Sequence, residues 1–242
     1  MIKKLARLVS FVFHPLWIPT LLFAIIFVFT PAIATPINQE IMPRMLVLIF
    51  TLTGIIPLAT LVVMRLPYFM MIAKLWARHL TNGVGAIGSM IELRPQIQMV
   101  KNQSLLQSFS MIDRSDRIIP FFVITVFYLA VCVMMSGRLG WGSFFIIAML
   151  TITFTSLVVS VITLFWKISV HSVAISSLVG FLFAGMLARI ESDLLLPLVG
   201  CIVIAGVVMS SRLYLNVHSP SQVGWGCLIG FLTSFVVTWV YF

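Results

Sequence analysis

The run Ser211-Arg212-Leu213-Tyr214-Leu215-Asn216-Val217-His218-Ser219-Pro220-Ser221-Gln222 sets one arginine and one histidine between two apolar stretches, 194–209 and 223–242. Ionisable side chains are expensive at a membrane border and usually have a function there. The guanidinium fork of Arg212 matches phosphate oxygens, and the imidazole of His218 can act as nucleophile or proton donor, so the pair suits phosphoryl chemistry. A snorkelling arginine beside a helix-end histidine is the plainer reading. Two other clusters carry related chemistry. Asp113-Arg114-Ser115-Asp116-Arg117 stands directly before an apolar run, which a helix start with an acidic first turn also explains. Lys167-Ile168-Ser169-Val170-His171-Ser172 joins a cation, hydroxyls and a histidine at a helix start, where free N–H groups and the dipole attract an anion.

The elements that must position these residues follow from composition. With 61% hydrophobic and 9% charged residues among 242, the chain is excluded from the ordinary soluble domains. An all-α, polytopic membrane helical bundle with six to seven transmembrane helices is expected. Spanning takes roughly 17–25 apolar residues, and the runs are 11–34, 45–64, 118–135, 143–166, 172–188, 194–209 and 223–242, the sixth being short. Cys132, Cys201 and Cys227 all fall inside these runs, where cysteine packs as a small apolar residue. Lys3, Lys4 and Arg7 precede the first run without a signal-type cleavage site, which predicts a retained first helix. His14-Pro15 falls in its first turn, so His14 reads as an interfacial residue rather than a ligand.

Three regions result. Residues 1–65 hold two N-terminal transmembrane helices, 66–113 form a basic interfacial loop with an amphipathic helix over 68–80, and 114–242 form the C-terminal bundle. The run 83–93 is too short to span and reads as interfacial or re-entrant. Two spans precede Arg117, two more separate it from His171, and another two separate that from Ser211. All three polar clusters therefore face one side.

These residues resemble a known family. Ser211-Arg212, five residues and His218 match the third signature of the type 2 phosphatidic acid phosphatase (PAP2) superfamily, S-R-x5-H-x3-D, up to its last position. Ser169-Val170-His171 is similar to its second signature, P-S-G-H, and Arg117 with Pro120 to the end of its first, K-x6-R-P. The resemblance covers about residue 114 to the C-terminus and implies a PAP2-like core. It implies His218 as a nucleophile forming a phosphohistidine and His171 as the proton donor to the leaving alkoxide. Arg117 and Arg212 would clamp the phosphoryl oxygens, with Ser169 completing the anion site. No metal and no other cofactor is implied. The chain departs from the pattern at several places: Ser110 holds the position of the first-signature lysine, Ile168 that of the second-signature proline, Val170 that of the second-signature glycine, and Gln222 that of the orienting aspartate. Lys167 is the candidate replacement for the missing lysine charge. Gln222 can accept a hydrogen bond but brings no negative charge, and Ser219-Pro220-Ser221-Gln222 also reads as a capping box with proline at the first helical position.

The function expected is metal-independent hydrolysis of lipid phosphate or diphosphate esters. The alternative is a catalytically silent relative that binds lipid head groups or serves a protein partner as a membrane subunit; a channel or transporter is the third class. Partners are membrane lipids and a lipid phosphate, with room for an oligomer. The +9 net charge belongs to membrane-side loops, so nucleic acid is not expected. The expected location is a bacterial cytoplasmic (inner) membrane. With the N-terminus inside, only Arg44, Arg138 and Arg189 of the 15 basic residues lie opposite the motifs, which predicts a cytoplasmic motif side.

Overall fold

The computed structural model describes residues 2–34, 37–64, 115–188 and 192–241. The expected amphipathic helix over 68–80, the run 83–93 and the residues Ser110, Asp113 and Arg114 lie outside the described residues. Every regular element described is helical. In chain order these are α1 (Ile2–Val12), α2 (Ile18–Phe29), α3 (Met42–Phe50), α4 (Ile56–Met64), α5 (Ser115–Leu139), α6 (Phe144–Phe165), α7 (Val170–Leu187), α8 (Leu195–Tyr214) and α9 (Pro220–Tyr241). Among the described residues, seven stretches are long and apolar enough to cross a membrane, as expected.

The first stretch is longer than expected, and it is broken. It runs over Ile2–Phe29 and is interrupted at His14, after which a 3-10 turn, Pro15–Trp17, leads into α2. Pro15 has no N–H to continue α1 and disfavours a helical conformation in the residue before it; His14 accordingly has extended backbone, φ −66° and ψ 140°. The second stretch joins α3 to α4 through a π-helical turn, Thr51–Ile55. That bulge exposes the carbonyl of Thr53, which accepts a hydrogen bond from Tyr128 Oη of α5 at 3.0 Å. A buried phenol has satisfied its only donor there, and the second stretch is tied to the C-terminal bundle.

α7 lies at the centre, packed chiefly on α9 and also on α8, while α5 pairs with α6 and α1 lies along α8. The α7–α9 contact is close because glycines face it. A Cβ on Gly226 would stand 2.9 Å from the Ser169 carbonyl oxygen, one on Gly230 would collide with the Val173 carbonyl, and one on Gly180 with the Phe231 carbonyl. The four-residue spacing of Gly226 and Gly230 serves internal packing, where lipid offers no hydrophobic drive and close van der Waals contact must hold the helices. α1 uses the same device on a smaller scale, burying only Ala6 and Ser10, four residues apart, against the bundle.

Between α2, α6 and α7 the core is aromatic and aliphatic: Phe23 meets Phe145 at 4.8 Å between ring centroids, and Phe144 meets Phe181 edge-on at 5.6 Å. Outward-facing Val28, Phe165, Leu196 and Val240 are exposed, which is how lipid-contacting positions of a membrane bundle are filled.

Candidate active site

The turn between α8 and α9 builds the first part of the site. Arg212 sits in the last turn of α8, where a cation meets the negative end of the dipole. This helix extends to Tyr214, so the sixth span, expected to be short, reaches 20 residues and carries Arg212 on its last turn. Asn216 then adopts a left-handed conformation, φ 52°, which asparagine tolerates better than most residues. The chain reverses, and His218 is turned inward to 7% exposure.

The start of α9 fixes that histidine. Ser219 Oγ accepts the Gln222 N–H at 3.3 Å, and Gln222 Oε1 accepts the Ser219 N–H at 3.3 Å, which is the expected capping box. The same Oε1 stands 3.0 Å from His218 Nδ1. An amide oxygen only accepts, so Nδ1 carries the proton and Nε2 keeps its lone pair. Burial holds the His218 pKa down to about 4, opposed by the Gln222 hydrogen bond and assisted by repulsion from Arg117, Arg212 and Lys167. At neutral pH the ring is uncharged, with a free lone pair, among cations.

His171 opens the first turn of α7. Its Nε2 stands 3.0 Å from the carbonyl oxygen of Ser10, near the end of α1. A carbonyl accepts, so Nε2 donates and Nδ1 is the nitrogen left for chemistry. Its other neighbour is His14, whose ring lies edge-on at 5.5 Å between centroids. The interfacial place expected for His14 is corrected here: the Pro15 break turns it inward, and it lines the cavity.

One cavity of about 250 Å³ gathers His14, Arg117, His171, Arg212 and His218. Arg117, at 8% exposure, comes from the first turn of α5, and its guanidinium lies close enough to that of Arg212 for each to feel the other's charge. Arg212 Nε is buried and has no hydrogen-bond partner among the described residues. An orphan donor beside a second guanidinium is a site in want of an anion, because an unmade bond to a charged donor is expensive inside a protein.

Two expected site residues stand elsewhere. Ser169 is fully buried in the α7–α9 contact: its N–H donates to the Gln222 carbonyl at 3.3 Å and its Oγ receives the Ser172 hydroxyl at 2.9 Å. It joins the starts of two helices instead of lining the cavity. Lys167 is also outside the lining, though near enough for its charge to act on His218. The serine preceding Arg212 likewise turns to its own helix, Ser211 Oγ donating to the Val207 carbonyl at 2.8 Å.

Away from its charged end the cavity is apolar, lined by Leu22, Leu58, Leu61, Ile124 and Phe181. Phe181 lies ten positions along α7 from His171, roughly 15 Å at the rise of an α-helix. Thr155, Ser156, Ser177 and Ser234 add hydroxyls to its wall, mostly bonded to one another or to neighbouring helices: Ser156 meets Thr125 at 2.7 Å, Thr155 meets Thr233 at 3.2 Å, and Ser177 pairs with Ser234. The site is therefore amphiphilic, with cations and imidazoles at one end and a largely apolar channel behind them.

No curated protein and no solved structure matches the chain. The sequence profile described as PAP2 superfamily matches residues 92–242, which include Arg117, His171, Arg212 and His218 and amount to more than half of the chain. The match and the convergence of those four residues on one cavity rest on different observations, and the chain belongs to the PAP2 superfamily.

Proposed function

We propose that this membrane protein hydrolyses lipid phosphate or diphosphate esters without a metal, through a phosphohistidine. The observation that carries the reading is the shared cavity of Arg117, Arg212, His171 and His218, cationic at one end and apolar for about three helical turns beyond. A phosphate head with an alkyl or prenyl tail has that polarity. Free phosphate or a sugar phosphate would leave the apolar length unused.

In this reading Arg117 and Arg212 hold the non-bridging oxygens, the orphaned Nε of Arg212 taking one of them. The lone pair of His218 Nε2 attacks phosphorus as the bond to the leaving oxygen breaks. The His218 ring becomes a phosphorylated cation, and Gln222 Oε1 keeps its hydrogen bond to Nδ1–H. His171, which takes a second proton on Nδ1 once the anionic substrate is bound, gives that proton to the leaving alkoxide while its Nε2–H stays on the Ser10 carbonyl. Water then attacks the phosphohistidine, returns one proton to His171 Nδ1, and releases inorganic phosphate with His218 restored. Lys167 contributes long-range positive charge, and Ser169 holds the starts of α7 and α9 in register. The excess of Lys and Arg on the motif side supports a cytoplasmic site by the positive-inside rule, and the proposed location is a bacterial inner membrane.

The test is phosphate release from a panel of lipid phosphates by the protein in detergent, with chelator present, beside His218→Ala. Release by the wild type that vanishes in the variant is expected. A second reading, a silent member that binds lipid head groups, draws on Gln222, a neutral residue where charge would stabilise the phosphorylated ring. Absence of release from every lipid, or equal release by both proteins, would establish that alternative over the enzyme.

A further inference from the structure

The matched stretch begins at residue 92, yet the broken first helix delivers a side chain to the same cavity. His14 begins the 3-10 turn Pro15–Trp17, and its Nδ1 accepts the Leu16 N–H at 3.4 Å. With Nδ1 accepting, the neutral ring carries its proton on Nε2. Nε2 makes no hydrogen bond among the described residues, and the ring lines the cavity with Arg117, Arg212 and His218. Arg212 is near enough for its charge to act on both His14 and His171.

The surroundings hold this turn in place. Trp17 lies over Gly54, where a Cβ would stand 2.6 Å from Trp17 Cζ3, and its ring meets Phe50 at 5.2 Å. Leu16 is buried with Leu61, Ile124 and Tyr128. Gly54 belongs to the π-helical turn, a departure from regular helix that makes the seat for Trp17. Capping alone uses one nitrogen and is served as well by asparagine or serine. A histidine brings a second nitrogen about 2 Å farther out, and that nitrogen is the one left over.

We propose that His14 is a phosphate-binding residue of this site, its Nε2–H donating to a phosphoryl oxygen held by Arg117 and Arg212. It supplies a donor where the first-signature lysine is replaced by Ser110. The ring stays neutral and keeps its proton, so no bond is made or broken at His14. The proposal rests on the cavity being a phosphate site.

Two substitutions separate the cap from the donor. His14→Asn keeps an acceptor at the position of Nδ1 and removes the outer donor; His14→Gln keeps an N–H near the position of Nε2. The full chain in detergent is titrated calorimetrically with inorganic phosphate and assayed for kcat/KM on a lipid phosphate, with thermal melting as the folding control. His14→Asn is expected to melt like the wild type, to bind phosphate about tenfold more weakly and to lose kcat/KM by a similar factor. His14→Gln is expected to stay within about threefold of wild type in both.

Wild-type affinity and kcat/KM in His14→Asn, or equal losses in both variants with lowered melting temperatures, would overturn the proposal while leaving the phosphatase intact. Wild-type phosphate binding without hydrolysis of any lipid would sink the phosphatase alone, and the ratio of affinities would still decide His14. Neither binding nor hydrolysis by the wild type would overturn both.

Discussion

His218 Nδ1 lies 3.0 Å from Gln222 Oε1, four residues later on the first turn of α9, and that one amide oxygen also receives the Ser219 N–H. In the proposed reaction the contact aims the attacking nitrogen but offers no charge to the imidazolium that phosphorylation would create. Gln222→Glu preserves reach and the capping box and adds that charge. It is expected to raise kcat by about tenfold and to raise the His218 pKa. Gln222→Leu loses both the aim and the cap; kcat is expected to fall at least about tenfold, with about 1 kcal/mol of stability lost. Steady-state kinetics at saturating substrate reads both, and unchanged kcat in both variants would remove Gln222 from the mechanism.

The acid limb of the pH profile follows from the state of His218. Its pKa, held down to about 4 by burial, keeps the ring neutral through mildly acidic pH. Corrected for the titration of the substrate, the limb of kcat/KM assigned to this nucleophile is expected near pH 4, whereas an ordinary imidazole would already cost about tenfold by pH 5.5. Stability should move the other way from a salt-bridged histidine. The unfolded chain binds a proton below about 6.5 and the folded chain only below about 4, so stability falls as pH drops through that window. Thermal melting in detergent at the two ends measures the slope, and His218→Gln should reduce it. An unchanged slope would show that another group carries it.

What the sequence makes legible is local. His218, Arg212 and Gln222 stand within twelve residues, so turn chemistry and a capping box suffice to place them together. Arg117 and His171 are recoverable because alternation of spans brings their helix starts to one side. His14 and Ser10 are separated from His171 by more than 150 residues, and the packing of α1 on α8 and of the 3-10 turn and α2 on α7 brings them near it. A signal was present: proline directly after a histidine, inside a 28-residue stretch, marks a break as readily as a beginning. Ser169 illustrates the opposite error. Its place in a signature suggests a phosphate contact, but a helix start pressed against Gly226 leaves its hydroxyl facing Ser172.

The orientation of His171 makes a prediction about leaving groups. With Nε2 on the Ser10 carbonyl, only Nδ1 is left to protonate a departing oxygen. An alkoxide needs that proton and a nitrophenolate hardly does. His171→Asn should therefore lower kcat/KM on an alkyl phosphate by 10²- to 10⁴-fold, the usual range for a positioned acid, and much less on p-nitrophenyl phosphate. Comparison of the two substrates in wild type and variant measures it. Equal losses on both would assign His171 to binding instead of proton transfer.

The close approach of α9 to α7 predicts which glycine controls the site's geometry. Gly226 lies four residues beyond Gln222, and the Cβ of an alanine there would press on the Ser169 carbonyl at 2.9 Å. Backbone cannot rotate away as a flexible side chain can, so α9 must shift, and the Gln222 carbonyl that receives the Ser169 N–H shifts with it. Gly226→Ala is expected to cost about 1–3 kcal/mol by overpacking and to lower kcat more than it raises KM, because the nucleophile moves relative to arginines held on α5 and α8. Gly224, two residues earlier on the same helix, has nothing within 4 Å of its Cβ position and is the control. Gly224→Ala should leave kcat unchanged and stabilise the protein slightly through helix propensity. Melting curves and kinetics of the pair decide the matter: equal behaviour of the two variants would mean that α9 is not held to α7 through Gly226.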